Sequence, residues 1–154
     1  RVLDYFRDRI HAGDREAPLF VMGRSLGSQP AIELAANHPE KLAGIIIESG
    51  FAHSGPLVGF FGISASAERL KEFEGAALER LGGITLPVLI IHGQNDSIVP
   101  YRQALVLYDH LGAKDKTLVT IPSADHNTIL WVGNELYFSA LAKFVRSNVE
   151  SERR

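Results

Sequence analysis

Leu19-Phe20-Val21-Met22-Gly23-Arg24-Ser25-Leu26-Gly27-Ser28 is the stretch on which the fold turns. An apolar run, Leu19 to Met22, leads straight into Gly23-Arg24-Ser25-Leu26-Gly27, and helical patterning begins near Ser28. Strand, Gly-x-Ser-x-Gly, helix is the setting of a nucleophile elbow, a turn so tight that the serine backbone is strained. Glycine at Gly23 and Gly27 is expected to avoid clashes with the neighbouring strand and helix and to lift the Ser25 hydroxyl clear of the sheet edge. The same five residues also fit a glycine-rich turn whose serine only caps a helix. The surroundings must separate the two.

Four apolar runs read as buried strands, each followed by helical periodicity: Leu19–Met22, Ala43–Ile47, Pro87–Ile91 and Thr117–Ile121. The first helix carries Ala31, Ile32, Leu34 and Ala35 and should stop near His38-Pro39, because a residue before proline disfavours helix. A later one places Ala104, Leu105, Tyr108 and Leu111 on one face and ends at Gly112. The last has Tyr137, Leu141, Phe144, Val145 and Asn148 at helical spacing, with Asn134 as a cap. Val2 to Ile10 reads as an amphipathic helix ending at Gly13. Apolar strands alternating with helices predict an α/β fold, a parallel sheet with helices on both faces. Thr117–Ile121 partly alternates, as an edge strand would.

Residues 51–86 are too long for a simple crossover. They open with Leu57, Val58, Phe60, Phe61 and Ile63 among glycines, then turn helical from about Ser64 to Leu81. A small lid or insertion and an ordinary packed loop both fit. No repeat, low-complexity tract or linker divides residues 1–154, so a single domain is expected. With 45% hydrophobic and 22% charged residues, the chain can bury a sizeable core. A net charge of −2 gives no electrostatic case for nucleic acid or an anionic membrane surface. Zero cysteines exclude disulfides and thiol chemistry and fit a reducing, cytoplasmic compartment. No apolar run approaches a membrane span, and no two histidines stand at metal-ligand spacing, so no metal is expected.

In parallel α/β sheets, sites form at the carboxyl ends of strands. The first strand ends at Ser25, the third in His92-Gly93-Gln94-Asn95-Asp96 with Val99-Pro100 behind it, and the fourth in Asp125-His126-Asn127. Serine, acid and histidine therefore arrive in that order. Neutral serine needs a base to take its proton, His126 supplies one, and an acid fixes the imidazole tautomer. Asp96 fits that acid, although it also fits a cap for the helix before Arg102. Glu48, just past the second strand, is a rival. Asp125 adjoins His126 and reads as a loop residue, and His92 as a brace for the loop before Asp96. His11, His38 and His110 read as surface, and His53 as surface or pocket border. Trp131 and Phe138 read as core.

These motifs, in register with the strands, make the chain resemble the α/β-hydrolase superfamily from about Arg1 to Val149. Within it, the chain looks most like the small serine esterases, thioesterases and peptidase-like hydrolases. The resemblance implies a Ser25–His126–Asp96 triad, an oxyanion hole using the Leu26 backbone N–H, and no cofactor. It implies hydrolysis of a small-molecule acyl ester or thioester through an acyl-serine intermediate. Phe51, Leu57, Phe60 and Phe61 would form an apolar acyl-binding wall. A peptidase or amidase of the same fold and a non-catalytic binding module remain alternatives. The four strands correspond to the last four of the superfamily's sheet, with the amino-terminal half and its second oxyanion donor absent. The chain is then a fragment of a longer enzyme or a natural short form. Either way Leu19–Met22 lies at an open apolar edge, where self-association is expected.

Overall fold

The computed structural model describes residues 2–11, 17–52 and 66–152. Strands β1 (Phe20–Arg24), β2 (Gly44–Glu48), β3 (Val88–Gly93) and β4 (Lys116–Ile121) form one sheet in the order β1-β2-β3-β4, and every pair is parallel. Helices α1 (Val2–His11), α2 (Ser28–Asn37), α3 (Ala67–Gly82), α4 (Arg102–His110), α5 (Ile129–Val132) and α6 (Asn134–Glu152) surround it. The expected α/β class is the one observed.

Alternation along the strands divides the core in two. Ile45, Ile47, Val88 and Ile90 face Ala31, Ile32, Ala35, Leu81, Ala104 and Leu107 from α2, α3 and α4. Ile46, Leu89, Ile91 and Ile121 face Tyr137 and Phe144 of α6. The two inner strands are buried at every residue, whereas β1 and β4 are not, because only inner strands have neighbours on both sides. Phe20 packs edge-on to Phe144, their ring centroids 5.8 Å apart.

Local chemistry sets the helix ends. Ser66 accepts the Arg69 N–H at 3.3 Å and starts α3. The Lys116 ammonium donates to the carbonyls of Tyr108 (2.7 Å) and Leu111 (2.8 Å), closing the carboxyl end of α4. As expected, α2 stops before His38-Pro39.

Several expectations need correction. Three strands run past their apolar runs, β1 into Gly23-Arg24, β2 into Glu48 and β3 into His92-Gly93, because the ladder of backbone hydrogen bonds ignores side-chain polarity, whereas β4 ends at Ile121 as expected. Leu105 is 44% exposed, and Leu107 takes the buried position beside Ala104. Trp131 and Phe138 are not core: they are 86% and 52% exposed, since α5 and the first turns of α6 turn Ile129 and Tyr137 inward instead. Gly13, His53 and the apolar segment with Leu57, Val58, Phe60, Phe61 and Ile63 lie outside the described residues, as does the side chain of His11.

Among the described residues, nothing pairs with the outer edge of β1. Leu19, Val21 and Met22 border a groove shared with Leu3 and Phe6 of α1. Expressed alone, this chain is expected to self-associate through that edge. Light scattering checks this, and a monodisperse monomer that unfolds cooperatively would refute it. Ile90 is fully buried at the centre of the sheet. Ile90→Ala should lower the unfolding free energy by about 2–5 kcal/mol in urea titrations of the full-length protein.

Candidate functional site

Ser25 sits at φ 52° immediately after β1, in the left-handed region that non-glycine residues avoid. The strain is held from behind. A Cβ on Gly23 would lie 2.3 Å from the Gly27 carbonyl oxygen and 2.8 Å from the Ala31 Cβ, so only glycine fits. Gly27 departs from expectation: a Cβ there meets nothing within 4 Å, because the chain has already turned helical and Gly27 faces outward at φ −65°. A short 3-10 turn, Ser25–Gly27, runs into α2, and neither start is capped by a side chain. The capping explanation for Ser25 therefore fails. The Leu26 amide lies in this first turn, where backbone N–H groups lack helical acceptors.

Asp96 is buried, 5% exposed, with both oxygens engaged. Oδ1 accepts the N–H groups of Ile98 (3.0 Å) and Val99 (2.8 Å), and Oδ2 accepts from His126 Nδ1 at 2.7 Å. It thus shapes the turn after β3 and does not cap α4, whose start carries no side-chain cap. A carboxylate only accepts, so the Nδ1 of His126 carries a proton, and in the neutral imidazole the lone pair is then on Nε2. His92 braces the same turn as expected: Nε2 donates to the Val99 carbonyl at 2.8 Å and lies 3.5 Å from Asp96 Oδ2. Burial holds its imidazole below the ordinary histidine pKa.

The His126 loop is tightly built. Ser123 takes φ 61°. Asp125 Oδ1 accepts the N–H groups of Asn127 (2.8 Å) and Thr128 (2.9 Å), which keep this exposed carboxyl below its usual pKa. Asp125 is thus the loop residue it was read as. Gly93 lets the loop approach β3, since a Cβ there would lie 2.7 Å from the Ala124 carbonyl oxygen.

Glu48 does not serve His126. Its Oε1 accepts from Arg24 Nε at 3.0 Å, and its Oε2 accepts the Tyr137 hydroxyl at 2.7 Å. Burial and that bond raise the Tyr137 phenol well above its ordinary pKa. Arg24 also donates through Nη2 to the His126 carbonyl at 2.6 Å. Sequence reasoning passed over Arg24 and Tyr137. The available signal was a lone cation ending an apolar strand beside a lone acid ending the next. Phe51, expected in an acyl wall, is 2% exposed and packs on Val99. Its carbonyl accepts from Gln29 Nε2 at 2.7 Å, and Gln103 Oε1 accepts the Ala52 N–H at 3.1 Å. Leu57, Phe60 and Phe61 lie outside the described residues. Among those residues, no group of three or more His, Asp or Glu is placed to hold a metal ion. No described helix is long and apolar enough to cross a membrane.

A family model described as "Serine aminopeptidase, S33" (Hydrolase_4) matches residues 54–130, half of the 154. Protein bem46 of Schizosaccharomyces pombe is 31% identical over 134 residues, 84% of this chain and 44% of that protein. Human alpha/beta hydrolase domain-containing protein 17B is 28% identical over 138 residues, again 44% of its length. The chain thus spans less than half of each of these two relatives. A monoacylglycerol lipase from Paleococcus ferrophilus superposes with a TM-score of 0.66 at 20% identity, covering 94% of this chain and 74% of the lipase. That likeness shows the fold.

The buried His92 makes stability depend on pH. Its folded pKa is lowered, so below its ordinary pKa the unfolded chain takes up a proton that the folded chain resists. Its contribution is full above about pH 6.5 and is lost as the pH falls below that. His92→Gln should flatten this part of the pH dependence in urea titrations, even if it lowers stability overall. An unchanged slope would contradict the assignment.

Proposed function

Because the chain belongs to the α/β-hydrolase superfamily, we propose that it carries the triad of a serine hydrolase acting on carboxylic esters or thioesters. The observation carrying this reading is the 2.7 Å Asp96–His126 bond, in a loop whose His126 carbonyl accepts from Arg24, the residue next to Ser25. Ser25 Oγ attacks the acyl carbon while His126 Nε2 takes its proton. Asp96 stabilises the resulting imidazolium. The Leu26 N–H donates to the oxyanion, with the start of α2 adding a favourable dipole. His126 then returns the proton to the departing alcohol or thiol. Water, deprotonated by His126, attacks the acyl carbon, and His126 returns that proton to Ser25 Oγ as the acid departs. No cofactor takes part. A second oxyanion donor is expected from outside this chain, as the superfamily pattern places it after an earlier strand.

The family description favours one other reading, a serine aminopeptidase. A substrate's ammonium would need an acidic partner. Glu48, the acid nearest the elbow in the sheet register, is 3% exposed and already committed to Arg24 and Tyr137. The apolar residues from Leu57 to Ile63 also suit an acyl group better than a charged terminus. Esters and thioesters are therefore preferred.

Intact-mass detection of a fluorophosphonate adduct, beside Ser25→Ala, tests the proposal. The full-length protein should gain one adduct, lost in the variant. Absence of an adduct would leave a non-catalytic binding module. Asp96→Ala should lower ester hydrolysis by about 10²–10⁴-fold. Faster turnover of aminoacyl amides than of short acyl esters would favour the peptidase.

A further inference from the structure

We propose that Arg24 is a positioning residue that sets the approach of His126 to Ser25. The proposal rests on the reading above of Ser25 and His126 as nucleophile and base. Arg24 lies beside Glu48 in the parallel register, so the two side chains meet at the carboxyl edge of the sheet. Its planar guanidinium divides between two acceptors: Nε donates to Glu48 Oε1 at 3.0 Å, and Nη2 to the His126 carbonyl at 2.6 Å.

A solvated arginine would explain neither bond. An exposed ion pair contributes little, and the Arg24 side chain is 45% exposed, but that of Glu48 is 3% exposed and follows Ile45-Ile46-Ile47. A carboxylate buried there is costly unless paired. Tyr137, in the first turn of α6, supplies its other donor at 2.7 Å. Glu48 thus fixes the fork of Arg24, and the free arm of that fork is aimed at the main chain of His126.

The geometry of the sheet makes such a clamp necessary. Ser25 and His126 follow β1 and β4, which are separated by two strands. Three inter-strand spacings amount to about 14 Å, so no ladder hydrogen bond sets the distance between them. The loop after β4 crosses that gap. Asp96 orients the ring of His126 through Nδ1, and the Asn95 N–H holds the Ala124 carbonyl at 2.8 Å, but both belong to the side of β3. The bond from Arg24 ties His126 to the element that carries Ser25. A misplacement of about 1 Å between reacting groups costs about 100-fold in rate. The clamp should therefore act on kcat and leave substrate binding alone.

The test compares Arg24→Met and Arg24→Lys in the full-length protein, using kcat and KM on a short acyl ester and the rate of fluorophosphonate labelling. Arg24→Met should lower kcat and the labelling rate together by about 10–100-fold, with KM nearly unchanged. Arg24→Lys keeps the charge beside Glu48 but cannot reproduce the two-armed fork. It should fold and recover part of the loss. Tyr137→Phe keeps both arms and should lower kcat much less than Arg24→Met. Wild-type kcat in Arg24→Met, or a fall in kcat matched by a rise in KM, would overturn the proposal. If Arg24→Met does not fold, by circular dichroism, Arg24→Lys decides: reduced kcat at unchanged KM supports the clamp, and wild-type kcat overturns it. Labelling that persists in Ser25→Ala would instead sink the functional reading. Labelling that depends on Ser25 but not on Arg24 sinks only the clamp.

Discussion

The parallel register of the four strands is the constraint on which the rest depends. Hydrogen bonding sets Gly23 beside Ile47 and Arg24 beside Glu48, and brings Glu48 beside Ile91 and Gly93 beside Ile121. All four strands therefore end at one edge, where the loops after β3 and β4 meet each other and the end of β1. A shift of one residue in β1 would turn Val21 out of the core on one face and separate Arg24 from Glu48. The apolar runs of β2 and β3 are buried on both faces, so the polar residues that end them, Glu48 and His92, and their partners mark the register.

The edge is also where the backbone leaves its ordinary conformations. The three non-glycine residues described with positive φ are Ser25, Ser49 and Ser123, each one or two positions past a strand. Each costs on the order of 1–3 kcal/mol. The buried layers beneath, with Ile47, Ile91 and Ile121 fully enclosed, supply the rigidity that keeps them. Polar groups gather at the same place. Asp96, His92, Glu48 and His126 are all buried there, and each has a named hydrogen-bond partner.

Much of this was legible before the fold was known. Continuous apolar runs mark the four strands, 3.6-residue periodicity marks the helices after them, and reading just past the strand ends leads to Ser25, Asp96 and His126. The Asp96–His126 contact follows from that logic, because the order of strands fixes which loops meet. What escaped were contacts that patterning does not encode. Arg24 reads only as the variable position of the elbow, and Tyr137 only as one residue of a helix face, until the fold places Glu48 between them. Trp131 was misread because hydrophobicity alone does not say which side of a four-residue helix faces inward. Gly27 was credited with a clash that belongs to Gly23 alone, since only the first glycine is pressed against α2.

The strands lie across the sheet in the order in which they occur along the chain. Among these four, each new strand can therefore dock on the one just made as the polypeptide leaves the ribosome. The elbow and its arginine are in place early, then Glu48, then Asp96. The imidazole comes last, with the loop that follows β4. Until β4 is seated, the strained Ser25 and the Asp96 carboxylate stand in a sheet that lacks the imidazole Asp96 will hold.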